Sequence, residues 1–356
     1  MKTEMRNLLF ISMLMLAICS NNLTKAEYPA SKKATIAGAG ATFPLPFYNL
    51  AFKTYQQQTG NLVTYGGIGS GGGVRSLKDK IVDFGGSDAF LSDKEMSTMP
   101  YATVHIPTCM GAVVLAYNLP EVKDLKLTGD VVAAIYLGEI MKWNDARIQA
   151  INPGVKLPDK ALSPVYRSDG SGTTFVFSDY LTKVNKAWAD QVGTGKSLKW
   201  PVGMAAKGNP GVAGIIRQTP GTIGYVGSEY AFALKIATAQ LQNKAGNFIT
   251  PTTESISAAA SGEMPADTRT MITNVEAPDA YPISCFTWII LYKEQAYNGR
   301  KLGQAQATVE LLNWMLGTEA QSLTTKVHYS PLPQAAVENA KKILKSVTYE
   351  GKPVLK

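Results

Sequence analysis

Very little in this chain looks like a catalytic apparatus. Its 356 residues include 2 histidines and 3 cysteines, and 17% of positions are charged. With imidazole almost missing, general-base and nucleophilic chemistry have few candidate residues. The cysteines form no CxxC pair, so neither a structural zinc site nor any other metal or cofactor is expected. Beyond the N-terminal segment, no apolar run approaches the roughly 18 residues that mark a membrane-spanning helix. Repeats and low-complexity linkers are missing as well. Basic clusters are equally scarce: the formal charge is +8, yet the longest basic runs are pairs such as Lys32-Lys33 and Lys341-Lys342. Dispersed lysines make a solvated surface, and no nucleic-acid partner is expected.

What is present is apolar material for two cores. The hydrophobic share is 45%, and a prior of about 150 residues per domain divides the length into two. At the start, Lys2 and Arg6 precede "LLFISMLMLAI" (Leu8 to Ile18), apolar apart from one serine. That run is too short to cross a bilayer and suits the core of a signal peptide. "TKA" at 24–26 offers a small residue for cleavage, so residues 1–26 read as an export signal and Glu27 as the mature N-terminus. "LAIC" (16–19) resembles a lipoprotein box, but Ile18 stands where a small residue is wanted; lipid anchoring at Cys19 is the lesser expectation. Removing residues 1–26 lowers the formal charge from +8 to +6. Export leaves Cys109 and Cys285 in an oxidising compartment, either buried as thiols or joined as a disulfide.

Short helical and strand-like patterns alternate along the rest. "PFYNLAFKTYQQQTG" (46–60) carries Phe47, Leu50, Ala51 and Tyr55 at helical spacing, with Gly60 as a stop. "NLVTY" (61–65) reads as a strand, and Ser92 with Glu95 has capping-box spacing. "HIPTCMGAVVLAYN" (105–118) and "PISCFTWIILY" (282–292) are β-rich. "TGDVVAAIYLGEIMKW" (128–143), 304–317 and 334–346 read as helices. Strands separated by helices predict α/β sheets built from βα units.

Three enzyme-like signals fail on inspection. "GIGSGG" (67–72) matches a dinucleotide fingerprint, with Asp88 at a suitable distance for a ribose contact. It is not the first βα turn, however, and three consecutive glycines are poor material for a helix start. "GTGKS" (193–197) imitates the end of a P-loop, but Asp190 stands where the motif needs glycine. Neither Ser70 nor Ser171 sits in G-x-S-x-G, since Ile68 and Asp169 occupy the first glycine position.

Four small clusters share one chemistry. They are "GAGATFPLP" (38–46), "GIGSGGG" (67–73), "DFGGSDA" (83–89) and "RSDGSGTTF" (167–175). Three of them lead into helices, where free N–H groups and the dipole favour negative charge. Glycine permits close approach, Ser and Thr add hydroxyls, and Arg167 supplies a full positive charge that grips two oxygens. Asp88 is the odd member, because a carboxylate repels an anion. The conflict disappears if the anion brings a proton: phosphate donates one to Asp88, whereas sulfate at neutral pH has none to give. A buried carboxylate facing sulfate would cost several kcal/mol.

These clusters, together with "IYLGEIMKWND", "VGTGKSLKWPVG" and "PGTIGYV", resemble the periplasmic phosphate-binding protein of the phosphate-specific ABC importer from about residue 36 onward. The resemblance implies a two-lobed, type II-like α/β binding protein with two crossover strands, a ligand cleft between the lobes and no catalysis. It implies inorganic phosphate as ligand, permease subunits as partners, a monomer and a periplasmic location. Carried over by position, the ligand contacts are the Thr42 hydroxyl, the Phe43 N–H, Ser70, Asp88, Arg167, Ser171, Gly172 and Thr173, with Asp169 holding the arginine. Gly71 stands where the family often has serine. The crossovers are expected in "IPTCMGAVV" and "YPISCFTWI", giving lobes of 27–108 plus 287–356 and of 109–286. Each crossover holds one cysteine, so a Cys109–Cys285 bridge across the hinge is one expectation and two free thiols the other. Another oxyanion, sulfate or molybdate, is the alternative ligand.

Overall fold

The computed structural model describes residues 33–355. The export signal and the Cys19 question lie outside the described residues. The first half begins β1 (Thr35–Gly40), α1 (Leu45–Thr59), β2 (Leu62–Gly67), α2 (Ser70–Lys78), β3 (Phe84–Ser87) and the short α3 (Asp93–Ser97). A long strand, β4 (Thr103–Tyr117), follows, then α4 (Gly129–Leu137), β5 (Ser163–Arg167) and α5 (Gly172–Val184). Next come β6 (Met204–Ala206), α6 (Gly208–Gln218), β7 (Thr222–Gly227) and α7 (Ser228–Ala233). The chain closes with β8 (Ser284–Tyr292), α8 (Leu302–Met315) and α9 (Gln334–Lys345).

One hydrogen-bonded path runs β2-β1-β3-β8-β4-β7-β5-β6. Within it β2, β1 and β3 are parallel, as are β7, β5 and β6. The two parallel sets meet through β4. Its residues Thr103–Ala112 pair antiparallel with β8, and Val113–Tyr117 pair antiparallel with β7. A strand that changes partner midway carries the chain from one α/β half to the other. Its near-continuous apolar sequence fits this place, because it is covered on both faces.

Pro107 interrupts the ladder, and the register slips beside it: Thr287 faces Cys109 while Trp288 faces Pro107, leaving Thr108 as an extra residue. A bulge of this kind bends the strand and re-aims its neighbours. The register also decides the cysteine question. Cys109 lies opposite Thr287 and Cys285 opposite Gly111, so the two thiols share a face but sit diagonally. Diagonal neighbours are about 7–8 Å apart, beyond the roughly 7 Å reach of an unstrained disulfide. Both are buried free thiols, and the bridge is not formed.

Two helix expectations need correction. The helix expected over 128–143 ends at Leu137, because Gly138 takes a left-handed conformation (φ 82°) and caps it. The glycine run expected to resist helix formation instead opens α2. Gly73 explains why: a Cβ there would stand 2.5 Å from Gly40 Cα and 2.6 Å from the Ala39 oxygen. Bare backbone is what lets α2 lie against β1.

Candidate functional site

The parallel strands of both halves end, on their carboxyl side, at one shared region, the usual ligand position in α/β sheets. Contacts between the halves define it. Gly172 N–H, at the start of α5, donates to Ser70 Oγ, at the start of α2, at 2.9 Å. Thr173 Oγ1 donates to Asp88 Oδ2 at 3.3 Å, joining α5 to the end of β3. Gly71 N–H donates to the Gly170 oxygen at 2.9 Å. A Cβ on either of these glycines would lie 3.3 Å from the Cα of the other, so the two loops meet backbone to backbone. Thr42, after β1, receives the Asn209 N–H at 3.0 Å and Asn209 Nδ2 at 3.1 Å on its hydroxyl oxygen. Its carbonyl accepts the Tyr230 hydroxyl at 2.5 Å.

The structure therefore gathers the expected residues. Thr42, Phe43, Ser70, Asp88, Arg167, Ser171 and Thr173 are all buried. Arg167 ends β5 and is gripped by Asp169 through two parallel bonds, Nε to Oδ1 at 2.8 Å and Nη2 to Oδ2 at 2.5 Å. This side-on fork leaves Nη1 buried with no partner among the described residues. Asp169 also receives the Gly208 N–H at 2.9 Å, which ties the pair to the start of α6. Burial alone would push the Asp169 carboxyl up, but the Arg167 bonds and charge outweigh it and hold it below the usual range.

The hydroxyl groups have a consistent polarity. Ser70 Oγ accepts from the N–H groups of Gly172 (2.9 Å) and Asp88 (3.3 Å). Ser171 caps α5 by accepting the Thr174 N–H at 3.0 Å. Thr42 accepts twice from Asn209. Among the described residues, none of these three hydroxyls has an acceptor for its own proton, and the Phe43 N–H has none either. Gly172 N–H, by contrast, is already given to Ser70. Unmet buried donors are costly unless a ligand meets them.

Asp88 supplies the acceptor in this set of donors. Its Oδ1 receives the Thr287 hydroxyl at 2.9 Å and its Oδ2 the Thr173 hydroxyl. Burial raises its pKa to about 7, against the lowering effects of Thr287, Arg167 and Thr173. A second acid, Glu229 on α7, is buried with neither oxygen hydrogen-bonded among the described residues, and burial pushes it well above the carboxylate range. The two histidines take no part: His105 Nε2 accepts the Leu91 N–H at 2.9 Å, and His328 packs edge-on to Phe232.

Sequence reasoning missed Asn209, Thr287 and Tyr230. A signal existed for Asn209, since "KGNPG" (207–211) is a fifth glycine-rich turn opening a helix. Thr287 and Tyr230 carried no local signal. Also unforeseen was the ion pair between Lys196 Nζ and Glu95 Oε1 at 2.7 Å, which links the loop after α5 to α3.

Known proteins resemble this chain in sequence and in fold. A family model described as a PBP superfamily domain matches residues 26–319. The phosphate-binding protein PstS of Pasteurella multocida is 40% identical over 309 residues, 85% of this chain and 88% of that protein. The phosphate-binding protein PstS of Haemophilus influenzae is 39% identical over 324 residues, covering 90% and 95% respectively. Among solved structures, a phosphate-binding protein from Stenotrophomonas maltophilia superposes with a TM-score of 0.67 over 87% of this chain and 94% of its own, at 19% identity. A putative phosphate ABC transporter substrate-binding protein from Clostridium perfringens, with bound phosphate, does so with a TM-score of 0.61 at 15% identity, over 84% and 100%. At such identities the structures speak for the fold, a two-lobed α/β binding protein. By sequence over most of its length, and by fold, the chain belongs to the PstS phosphate-binding protein family of the PBP superfamily.

Proposed function

We propose that this protein captures inorganic phosphate between its two lobes in the periplasm and delivers it, as a monomer, to the permease subunits of a phosphate ABC importer. It performs no catalysis. The lobes are residues 27–108 plus 287–356 and residues 109–286, with β4 and β8 as the crossovers. The observation that carries this reading is the donor set around one buried acid: Arg167 Nη1 has no partner among the described residues, and the hydroxyls of Thr42, Ser70 and Ser171 are turned into donors by the amides they accept from.

In this reading the anion meets Arg167, the Thr42, Ser70 and Ser171 hydroxyls, the Phe43 N–H and Thr173. Gly172 lines the site and lends its amide through Ser70. Asp169 holds the guanidinium flat and offsets its charge, so the bound anion is stabilised largely by fixed dipoles. Asp88 accepts the proton that phosphate carries. Sulfate offers none, which disfavours the alternative oxyanion.

Calorimetric titration with phosphate, arsenate and sulfate tests the proposal. Phosphate and arsenate, both protonated tetrahedral anions, are expected to bind and compete, and sulfate to give no heat at pH 8. Equal binding of sulfate and phosphate would overturn it.

A further inference from the structure

We propose that Asn209 is the positioning residue that sets the direction of the hydroxyl protons in both halves of the site. The inference rests on the phosphate reading above and extends it to a residue outside the ligand contacts.

Asn209 is completely buried at the start of α6. Its side-chain orientation is unambiguous, because Oδ1 accepts the Gly227 N–H at 3.0 Å, and only the oxygen of an amide can accept. Nδ2 must then face the other way. There it donates to Thr42 Oγ1 at 3.1 Å and to Thr173 Oγ1 at 3.2 Å. The backbone N–H of Asn209 adds a second donor to Thr42 Oγ1 at 3.0 Å.

A hydroxyl has two lone pairs and one proton. With both lone pairs of Thr42 occupied by Asn209, its proton has nowhere to go but outward, as a donor to an anion. Thr173 accepts from the same Nδ2, and so its proton goes to Asp88 Oδ2. One amide thereby turns Thr42 toward the ligand's oxygens and Thr173 toward the acid that takes the ligand's proton. Gly227 N–H, at the end of β7, fixes the whole relay. The arrangement spans the halves, since Thr42 follows β1 and Asn209 follows β6. Asn209 acts through its partners, and the geometry gives it no need to touch the anion.

The test is a double-mutant cycle on phosphate affinity, with Asn209→Ala in the wild-type protein and in a Thr42→Val, Thr173→Val background. Asn209→Ala alone is expected to weaken phosphate roughly tenfold or more, as loss of oriented buried hydrogen bonds does. In the valine background, where no hydroxyl remains to orient, the same change is expected to cost less than about threefold, the mark of coupled residues. An equal loss in both backgrounds overturns the inference, because a merely structural asparagine would weaken both alike. Should the alanine variant not fold, Asn209→Ser, which adds no charge beside the anion, enters the same cycle with the same criterion. The wild-type protein is titrated first. If it binds no phosphate, the functional reading falls and this inference with it; if it binds and Asn209→Ala changes affinity less than twofold, this inference alone falls.

Discussion

Gly172 donates its N–H to Ser70 Oγ at 2.9 Å, and a Cβ on Gly172 would stand 2.5 Å from that oxygen and 2.7 Å from Asp88 Cβ. The starts of α2 and α5 touch at this point, so the two halves meet inside the site. Gly172→Ala forces them apart. Overpacking of this kind costs about 1–3 kcal/mol, which weakens phosphate about 5- to 150-fold. Calorimetry on the folded variant checks this, and unchanged affinity would show that the halves need not meet here.

Asp88 is expected to govern selectivity. Asp88→Asn replaces an acceptor with a group that also donates, so a sulfate oxygen no longer faces a negative charge to which it has no proton to give. Sulfate affinity is expected to rise about 10- to 100-fold, with a smaller change for phosphate. Competition titration reads both. Selectivity left intact in this variant would remove Asp88 from its role.

The same acid predicts a pH dependence for the wild-type protein. Below its pKa of about 7, Asp88 carries its own proton and becomes a donor. Sulfate is then met by a hydrogen bond in place of a charge. Each pH unit above 7 is expected to weaken sulfate by about tenfold, since binding requires a proton to be taken up first. Sulfate competition measured from pH 6 to pH 8.5 decides the matter, and a rise with pH would contradict it.

Stability of the ligand-free protein carries a related signature. Asp88 and Glu229 both titrate above their ordinary values because of burial. Between about pH 4 and 7 the folded chain keeps protons that the unfolded chain has lost, so their contribution to stability is present at low pH and falls as pH rises. Carboxylates such as Asp169, held low, act in the opposite sense. The difference between wild type and Glu229→Gln cancels such groups. Denaturant midpoints at pH 5 and 7.5 are expected to show the variant gaining on wild type at the higher pH; the reverse would mean that Glu229 is charged in the folded protein.

The pair of Lys196 and Glu95 joins the halves outside the site. Glu95 also caps α3 with Ser92, so its position is preset. Half-exposed pairs contribute about 0.2–1 kcal/mol, and Lys196→Met is expected to weaken phosphate by up to about fivefold at low salt. In 1 M salt, where the screening length is about 3 Å, the difference should vanish. A salt-independent loss would point to packing of the lysine stem as the cause.

Much of the candidate site is legible in the sequence. Arg167, Asp169 and Ser171 lie within one turn, and the Arg167–Asp169 fork and the Ser171 cap are local consequences of a strand running into a capped helix. Thr42, Ser70 and Asp88 were visible for the same reason, each at the end of a strand. The boundaries of α1, β4, β8 and α8 also follow the apolar spacing closely. The glycine run of α2 misled because helix propensity is a local quantity, while the reason for Gly73 is a neighbouring strand. The cysteines stayed open between a bridge and free thiols because occurrence in adjacent strands does not reveal register, and register depended on the slip at Pro107 and Thr108.

Taken alone, the amino-acid order determined the class of ligand chemistry, the α/β alternation and the strand ends that carry the donors, since each depends on residues a few positions apart. Only tertiary structure decided which donors remain free and how Asp88 is held. Thr287 reaches it from 199 positions away and Thr173 from 85, and hydrogen-bond polarity is set by which groups finally meet. A hydroxyl's direction is a property of its partners, and those partners become neighbours only when the chain has folded.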